Sequence, residues 1–351
     1  MQPLNVWDYE RLAADRLDDG AYGYYAGGAG DELTLRDNVA AFQRWQLRPR
    51  VLIDVAGCTT ATTVLGHDVS MPLLVAPVAF QRVAHPDGEV AMARAAHAAG
   101  TVMCLSTLAT STPAQVAESG AQRWFQLYVF RDEQVTAELV ARARDAGFTA
   151  LLLTVDAAVV GRRERDHRTG FTIPPEIAVA SLGQGGVTPA EAFALMSPSV
   201  SWRDLERLAS EAGLPVVVKG VLTAEDAALA CEHGAAGIVV SNHGGRQLDG
   251  VAATIDALPE VVEAVDGRIE VLVDGGVRRG GDVVKALALG ARAVLAGRAP
   301  LWGLVADGEA GARHVLELLR EEILLALKLV GCTSPADVTR DRVQRRAAQL
   351  P

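Results

Sequence analysis

The residues best equipped for chemistry lie in one run, Ser241-Asn242-His243-Gly244-Gly245-Arg246-Gln247-Leu248-Asp249. An imidazole such as that of His243 exchanges a proton near neutral pH, and a guanidinium three residues on, Arg246, can clamp a carboxylate bidentately. Asp156 is a carboxylate suited to orient that imidazole and stabilise its charged form. A second run, Asp274-Gly275-Gly276-Val277-Arg278-Arg279-Gly280, and then Gly297-Arg298, combines glycines that let backbone N–H groups approach oxygens with arginines that fork around phosphate. A lone histidine is usually a packed or loop residue, and a lone Asp-Gly-Gly an ordinary turn. Their company points to proton abstraction from an acid beside a bound phosphate group.

Such residues need a scaffold that brings them to one face. Short apolar runs recur at 73–78, 102–106, 124–129, 150–156, 215–220, 237–242, 270–276 and 293–298. Between them lie amphipathic stretches at 88–99, 112–118, 132–146, 202–212, 223–233, 254–265 and 281–289, with a further helix near 308–330. Eight strand–helix alternations predict an α/β fold, a (β/α)8 TIM barrel. Gln126, Tyr128, Thr154, Asp156, Lys219, Ser241, His243, Asp274 to Arg278 and Gly297-Arg298 then fall at the C-terminal strand ends, the face on which barrels carry active sites. The chain reads as a single domain, 1–351, with an N-terminal helical cap over 1–65 and the barrel over 66–338. A Gly-, Pro- and Ser-rich stretch, about 162–201, is too long for a plain connection and reads as an active-site lid, its 183–186 portion suggesting mobility.

Composition narrows the function classes. The 351 residues are 50% hydrophobic and 22% charged, which excludes a disordered chain. Thirty-three Lys and Arg against 43 Asp and Glu give a net charge of −10, the wrong sign for a phosphodiester-binding protein. No window reaches the roughly 18 to 20 apolar residues of a membrane span, and the first ten residues lack a signal-peptide pattern, so a cytoplasmic protein is expected. Cys58, Cys104, Cys231 and Cys332 lie far apart without a C-x-x-C pair, so no metal site and no disulfide framework is expected.

The run SNHGGRQLDG, together with VVVKGV, FQLYV, LTVD, GRRERD, AHPDGE and DGGVRRG, resembles the FMN-dependent L-2-hydroxy-acid oxidases and dehydrogenases. That family includes glycolate oxidases, lactate oxidases, mandelate dehydrogenases and hydroxymandelate oxidases. The likeness extends from Asn5 to about Val338 with its motifs in the same order. It implies FMN as cofactor, a small-molecule 2-hydroxy acid as substrate and a homotetramer.

By that resemblance His243 is the base, Asp156 its carboxylate partner, and Arg246 and Arg163 the arginines that hold the substrate carboxylate. Tyr24 bonds the same carboxylate and Tyr128 faces the hydroxyl that becomes the ketone. Lys219 stands beside flavin N1 and O2, where a fixed positive charge favours the reduced ring. The remaining implied flavin contacts are Pro77, Val78, Ala79, Ser106, Gln126, Thr154 and Ser241, with Asp274, Gly275, Gly276, Arg278, Gly297 and Arg298 on the ribityl chain and phosphate.

Three positions depart from the glycolate oxidase pattern. Val78 replaces Thr, Leu108 replaces a bulky Trp, and Phe80 replaces Met where hydroxymandelate oxidases have Tyr. More room at Leu108 and an aromatic wall at Phe80 favour a bulky, mandelate-like side chain. With no appended haem domain, O2 is the expected electron acceptor, giving H2O2. A lactate- or glycolate-type oxidase, a dehydrogenase passing electrons to a soluble carrier, and another phosphate-binding barrel such as an FMN-dependent isomerase stay open.

Overall fold

The computed structural model describes residues 3–174, 176–182 and 187–347. The 183–186 stretch, on which the expectation of mobility rests, lies outside the described residues. Eight parallel strands close into a barrel in chain order: Leu73–Val75, Val102–Leu105, Gln122–Leu127, Ala150–Thr154, Val216–Val221, Gly237–Val240, Glu270–Asp274 and Ala293–Ala296. The eighth pairs back onto the first, Leu295 opposite Leu74.

Strand residues alternate between two cores, as the period of two dictates. One set, including Leu73, Val75, Phe125, Leu151, Val218 and Val273, packs outward against the helices. The other, including Leu74, Cys104, Trp124, Leu152, Val217 and Leu272, fills the barrel interior. Counting upward in twos along the inward set leads from Cys104 to Ser106 and Leu108, and from Trp124 to Gln126 and Tyr128. It leads likewise from Leu152 to Thr154 and Asp156, from Val217 to Lys219, and from Leu272 to Asp274. The same parity that buries the core therefore aims the polar side chains at the space above it. A hairpin, Thr62–Val64 with His67–Val69, seals the other end of the interior with Val64 and Val69. It straddles residue 65, where the sequence suggested that the cap ends.

The segment before that hairpin is helical at Val6–Arg16, Asp19–Ala26 and Leu33–Ala40, then pairs Trp45–Leu47 with Val343–Arg345. It is fastened to the loop after the sixth strand. Asp249 accepts from the N–H groups of Leu33 (3.2 Å) and Thr34 (2.8 Å), capping the third helix from a distance. Asn38 and Asn242 exchange reciprocal amide bonds of 2.8 Å, and Ala29 N–H donates to the Gly245 carbonyl at 2.8 Å.

The C-terminal helical run starts earlier than the sequence suggested. It spans Arg298–Val330 with a break at Asp307 and Gly308, so a short helix begins directly at the end of the eighth strand. Residues 299–306 are apolar and buried on every side, so they gave no amphipathic signal. Residues 162–201 contain helices Glu164–Thr169 and Pro189–Leu195. They lie against the loops after the second and third strands: Ala180 N–H donates to the Ala109 carbonyl (2.9 Å), Ser197 N–H to Val129 (2.9 Å), and the Ser181 hydroxyl to Thr107.

Candidate active site

A cavity of about 1060 Å³, its open mouth included, sits over the C-terminal ends of the strands. Of the residues singled out in the sequence, it is lined by Tyr24, Pro77, Val78, Ala79, Ser106, Leu108, Gln126, Tyr128, Thr154, Arg163, Lys219, His243, Arg246, Asp274, Gly275, Gly276, Arg278, Gly297 and Arg298. Asp156 stands one layer back, where it serves His243.

His243 Nδ1 and Asp156 Oδ1 are 2.8 Å apart, leaving Nε2 as the ring nitrogen available to a ligand. His243 itself is held at φ 58, a left-handed conformation that few side chains adopt and that marks functional sites. The Ser241 hydroxyl accepts from its N–H at 3.1 Å. Burial pushes the imidazole below its usual range; Asp156 opposes this, while Lys219 and Arg163 add to it. Burial also works against ionisation of Asp156, yet the charges of His243 and Lys219 and the hydrogen bond to His243 hold its carboxyl below the ordinary range. At neutral pH the pair is thus a free-base imidazole against a carboxylate. Close approach of the fifth strand to the end of the fourth depends on Gly220, because a Cβ there would stand 2.7 Å from that of Asp156.

Two guanidiniums face the same space. Arg246 Nη1 donates to the carbonyls of Tyr24 (2.5 Å) and Gly27 (3.1 Å), and its Cζ lies 4.9 Å from the centre of the Tyr24 ring. Burial, with Arg163 close by, pushes Arg246 down to about 10. Arg163 Cζ lies 6.0 Å from the Tyr24 ring, and its buried Nε has no partner. Two cations converging on one tyrosine form a receptor for an anion. Burial, reinforced by Asp156, raises the Tyr128 phenol, which therefore stays protonated and can donate.

The other end of the cavity offers a different chemistry. Lys219 donates to the Ser241 hydroxyl at 2.9 Å and pairs with Asp274 at 3.1 Å. Burial disfavours its charge, but Asp274 and Asp156 outweigh this and raise it above the usual lysine range. Around it, buried Gln126 Nε2, Thr154 Oγ1, Asp274 Oδ1 and Arg278 Nε lack partners. Buried polar atoms are normally satisfied, so four orphans lining one cavity call for a ligand that both donates and accepts. The floor beyond is backbone. Gly276, at φ 81, has no room for a side chain, since a Cβ would fall 2.0 Å from the Asn38 carbonyl. The helix starting at Arg298 presents its free N–H groups there. This donor set fits a phosphorylated, polar-edged ring system such as FMN.

Two sequence expectations need correction. Phe80 does not line the cavity: it is fully buried, its ring 6.3 Å from Tyr24 and 6.4 Å from Phe193, and it backs the wall. Its left-handed backbone, φ 55, turns the side chain away, a direction that strand parity could not foretell. Ser241 is also fully buried and outside the lining, beneath Lys219 and His243. Arg298 lines the cavity, but its guanidinium is committed to the carbonyls of Tyr25 (2.8 Å), Gly244 (3.0 Å) and Gly27 (2.8 Å). It ties the N-terminal segment to the His243 loop, and the start of its helix faces the cavity. Sequence reasoning missed Phe193, Tyr25 and Leu301, all lining residues. Only the capping box Thr188-x-x-Glu191 with Pro189 signalled the helix that carries Phe193.

Comparison with known proteins meets this geometry. The FMN-dependent dehydrogenase family matches residues 13–345. The chain belongs to that family. It is 50% identical to an L-lactate oxidase of Nostoc sp., covering 96% of both chains, and 50% identical to a glycolate oxidase of Spinacia oleracea, covering 98% of this chain and 96% of the other. Among solved structures, a mandelate oxidase with (S)-2-phenylpropionate superposes with a TM-score of 0.92 at 44% identity over 98% of this chain and 99% of the other. Family membership makes FMN the cofactor, and these relatives are oxidases of 2-hydroxy acids. Among the described residues, no cluster of His, Cys, Asp and Glu suits a metal, and no helix is long and apolar enough to cross a membrane.

Proposed function

We propose that the protein oxidises an (S)-2-hydroxy acid with a bulky or aromatic side chain, mandelate-like, to the 2-keto acid, with O2 as acceptor and H2O2 as product. The observation that carries this reading is the braced free-base His243 facing the paired guanidiniums of Arg246 and Arg163 across one cavity. FMN, when bound, supplies the two-electron acceptor. Pro77, Val78, Ala79, Ser106, Gln126, Thr154, Lys219, Asp274, Gly275, Gly276, Arg278, Gly297 and the N–H groups at Arg298 would hold it.

In this reading Arg246 and Arg163 bind the substrate carboxylate, and Tyr24 bonds to it. Their grip places the substrate hydroxyl near the Tyr128 phenol and His243. His243 Nε2 takes a proton as the substrate loses the equivalent of a hydride, and Asp156 stabilises the imidazolium that forms. Lys219, fixed in the floor by Asp274, supplies a positive charge where negative charge accumulates.

Side-chain preference rests on the wall. Leu108, Tyr24 and Phe193 line the cavity, with Phe80 behind, so the guest meets aliphatic and aromatic surface. The similarity to mandelate oxidase structures supports an aromatic guest, and the oxidase relatives support O2. Absorbance of the purified protein tests the whole. Flavin peaks at roughly 370 and 450 nm are expected to bleach with (S)-mandelate without oxygen and to return with air as peroxide appears. Bleaching without return identifies a dehydrogenase. A kcat/KM for glycolate above those for (S)-mandelate and (S)-2-hydroxyoctanoate overturns the side-chain assignment.

A further inference from the structure

The motif Ala84-His85-Pro86-Asp87-Gly88-Glu89 has no part in the chemistry above, yet it carries a fully buried carboxylate. Glu89 lies on the helix Gly88–Ala98 between two loops that reach the cavity. Its Oε1 accepts from the N–H of Gln81 (3.1 Å) and of Thr110 (2.9 Å). Its Oε2 accepts from the hydroxyls of Thr110 (2.5 Å) and Ser111 (3.0 Å). No arginine or lysine makes an ion pair with it among the described residues. A buried carboxylate is costly, and four donors converging on it offset that cost only if the loops hold one geometry.

Those loops are the side-chain end of the cavity. Gln81 passes the constraint on, its Nε2 donating to the Val78 carbonyl at 3.3 Å. Phe80 N–H donates to the Leu108 carbonyl at 3.1 Å, and the Tyr25 hydroxyl to the Phe80 carbonyl at 2.6 Å. Val78 and Leu108 line the cavity, and Phe80 supports its aromatic wall.

We propose that Glu89 is a positioning residue for substrate selection: by tying the 78–81 loop to the 108–111 loop it sets the gap into which the side chain of the 2-hydroxy acid fits. The proposal rests on the oxidase reading above and assigns a further determinant of it. Glu89→Gln keeps an oxygen for the two backbone donors, and its amide can donate to hydroxyls that rotate to accept. Glu89→Leu keeps the bulk and leaves both N–H groups unsatisfied.

The test measures kcat/KM for (S)-mandelate and for glycolate with the flavin-loaded enzyme, and expresses each variant's ratio of the two relative to wild type. Glu89→Leu is expected to shift that quotient about tenfold toward indifference, mainly through KM, and Glu89→Gln to restore it within about twofold. A merely structural role would lower stability and both efficiencies alike, leaving the quotient at one, and that result overturns the proposal. If Glu89→Leu does not fold, Thr110→Val, which removes one hydroxyl donor, decides: a shift of about threefold supports the proposal and no shift overturns it. Wild-type oxidation of either acid tests the oxidase reading separately, because the quotient concerns only the change caused by the variant.

Discussion

The two ends of the cavity are built from different material. The end assigned to the flavin is made of strand termini and backbone: Gln126, Thr154, Lys219 and Asp274 continue the inward parity of the barrel, and Gly275, Gly276 and Gly297 follow directly. The end assigned to the acid is assembled from pieces far apart in sequence: Tyr24 from the N-terminal segment, Arg163 and Phe193 from the 162–201 segment, Leu108 and Arg246 from loops. The first is built directly on the core beneath it. The second depends on how loops dock, so selectivity can change there without disturbing cofactor binding.

Substitutions can break or sharpen that contrast. The largest effect is expected for His243→Gln, which sits where the two ends meet. Turnover should fall by about 10³-fold, within the range of general-base catalysis, while the flavin spectrum and affinity stay close to wild type. Near-normal turnover in a stopped-flow reduction assay would remove His243 from the chemistry. Arg246→Lys, entirely at the acid end, should lower kcat/KM by about 10²-fold, because an ammonium cannot reproduce the guanidinium fork; unchanged efficiency would mean that Arg246 is not the clamp. Leu108→Trp should cut kcat/KM for (S)-mandelate by about tenfold and spare glycolate. Equal losses for the two acids would show that the wall does not select.

The smallest effect is one of pH. His243 must be unprotonated to act, and burial lowers its pKa. The acid limb of kcat/KM should therefore lie below the usual histidine value of about 6.5, activity being full above it and lost as pH falls through it. Asp156 raises the pKa of His243. Asp156→Asn should accordingly move the limb to still lower pH while reducing the maximal rate, and a limb that moves up would contradict the pairing.

The same contrast explains what was legible in the sequence. The eight strands and the residues at their ends could be read because apolar runs and the polar residues that close them share one register. His243 and Asp156 came from the same pattern, just past the ends of the sixth and fourth strands, with the fifth strand between them. Phe80 and Phe193 were not separable in this way. The direction of Phe80 is set by a left-handed residue after a strand, and Phe193 reaches the cavity only through the fold of a segment without apolar period. Arg298 shows a further limit: its type suits phosphate, but three carbonyls brought by distant segments claim it. Ser241 was placed at the right height, and only packing reveals that its oxygen accepts from Lys219 and the His243 backbone.

The pairing of Trp45–Leu47 with Val343–Arg345 has a consequence for the order of events during synthesis. Gln46 and Gln344 are 298 residues apart and bond across that pair. The segment carrying Tyr24 also needs the loop at 242–251 and the Arg298 guanidinium as docking points, all made late in translation. A nascent chain emerging at about 5 to 20 residues per second can begin arranging the first strands long before those partners exist. Tyr24, first in sequence of the residues proposed to bind the acid, is thus among the last to find its place, and in ribosome-bound chains stopped short of residue 298 it should not yet be docked.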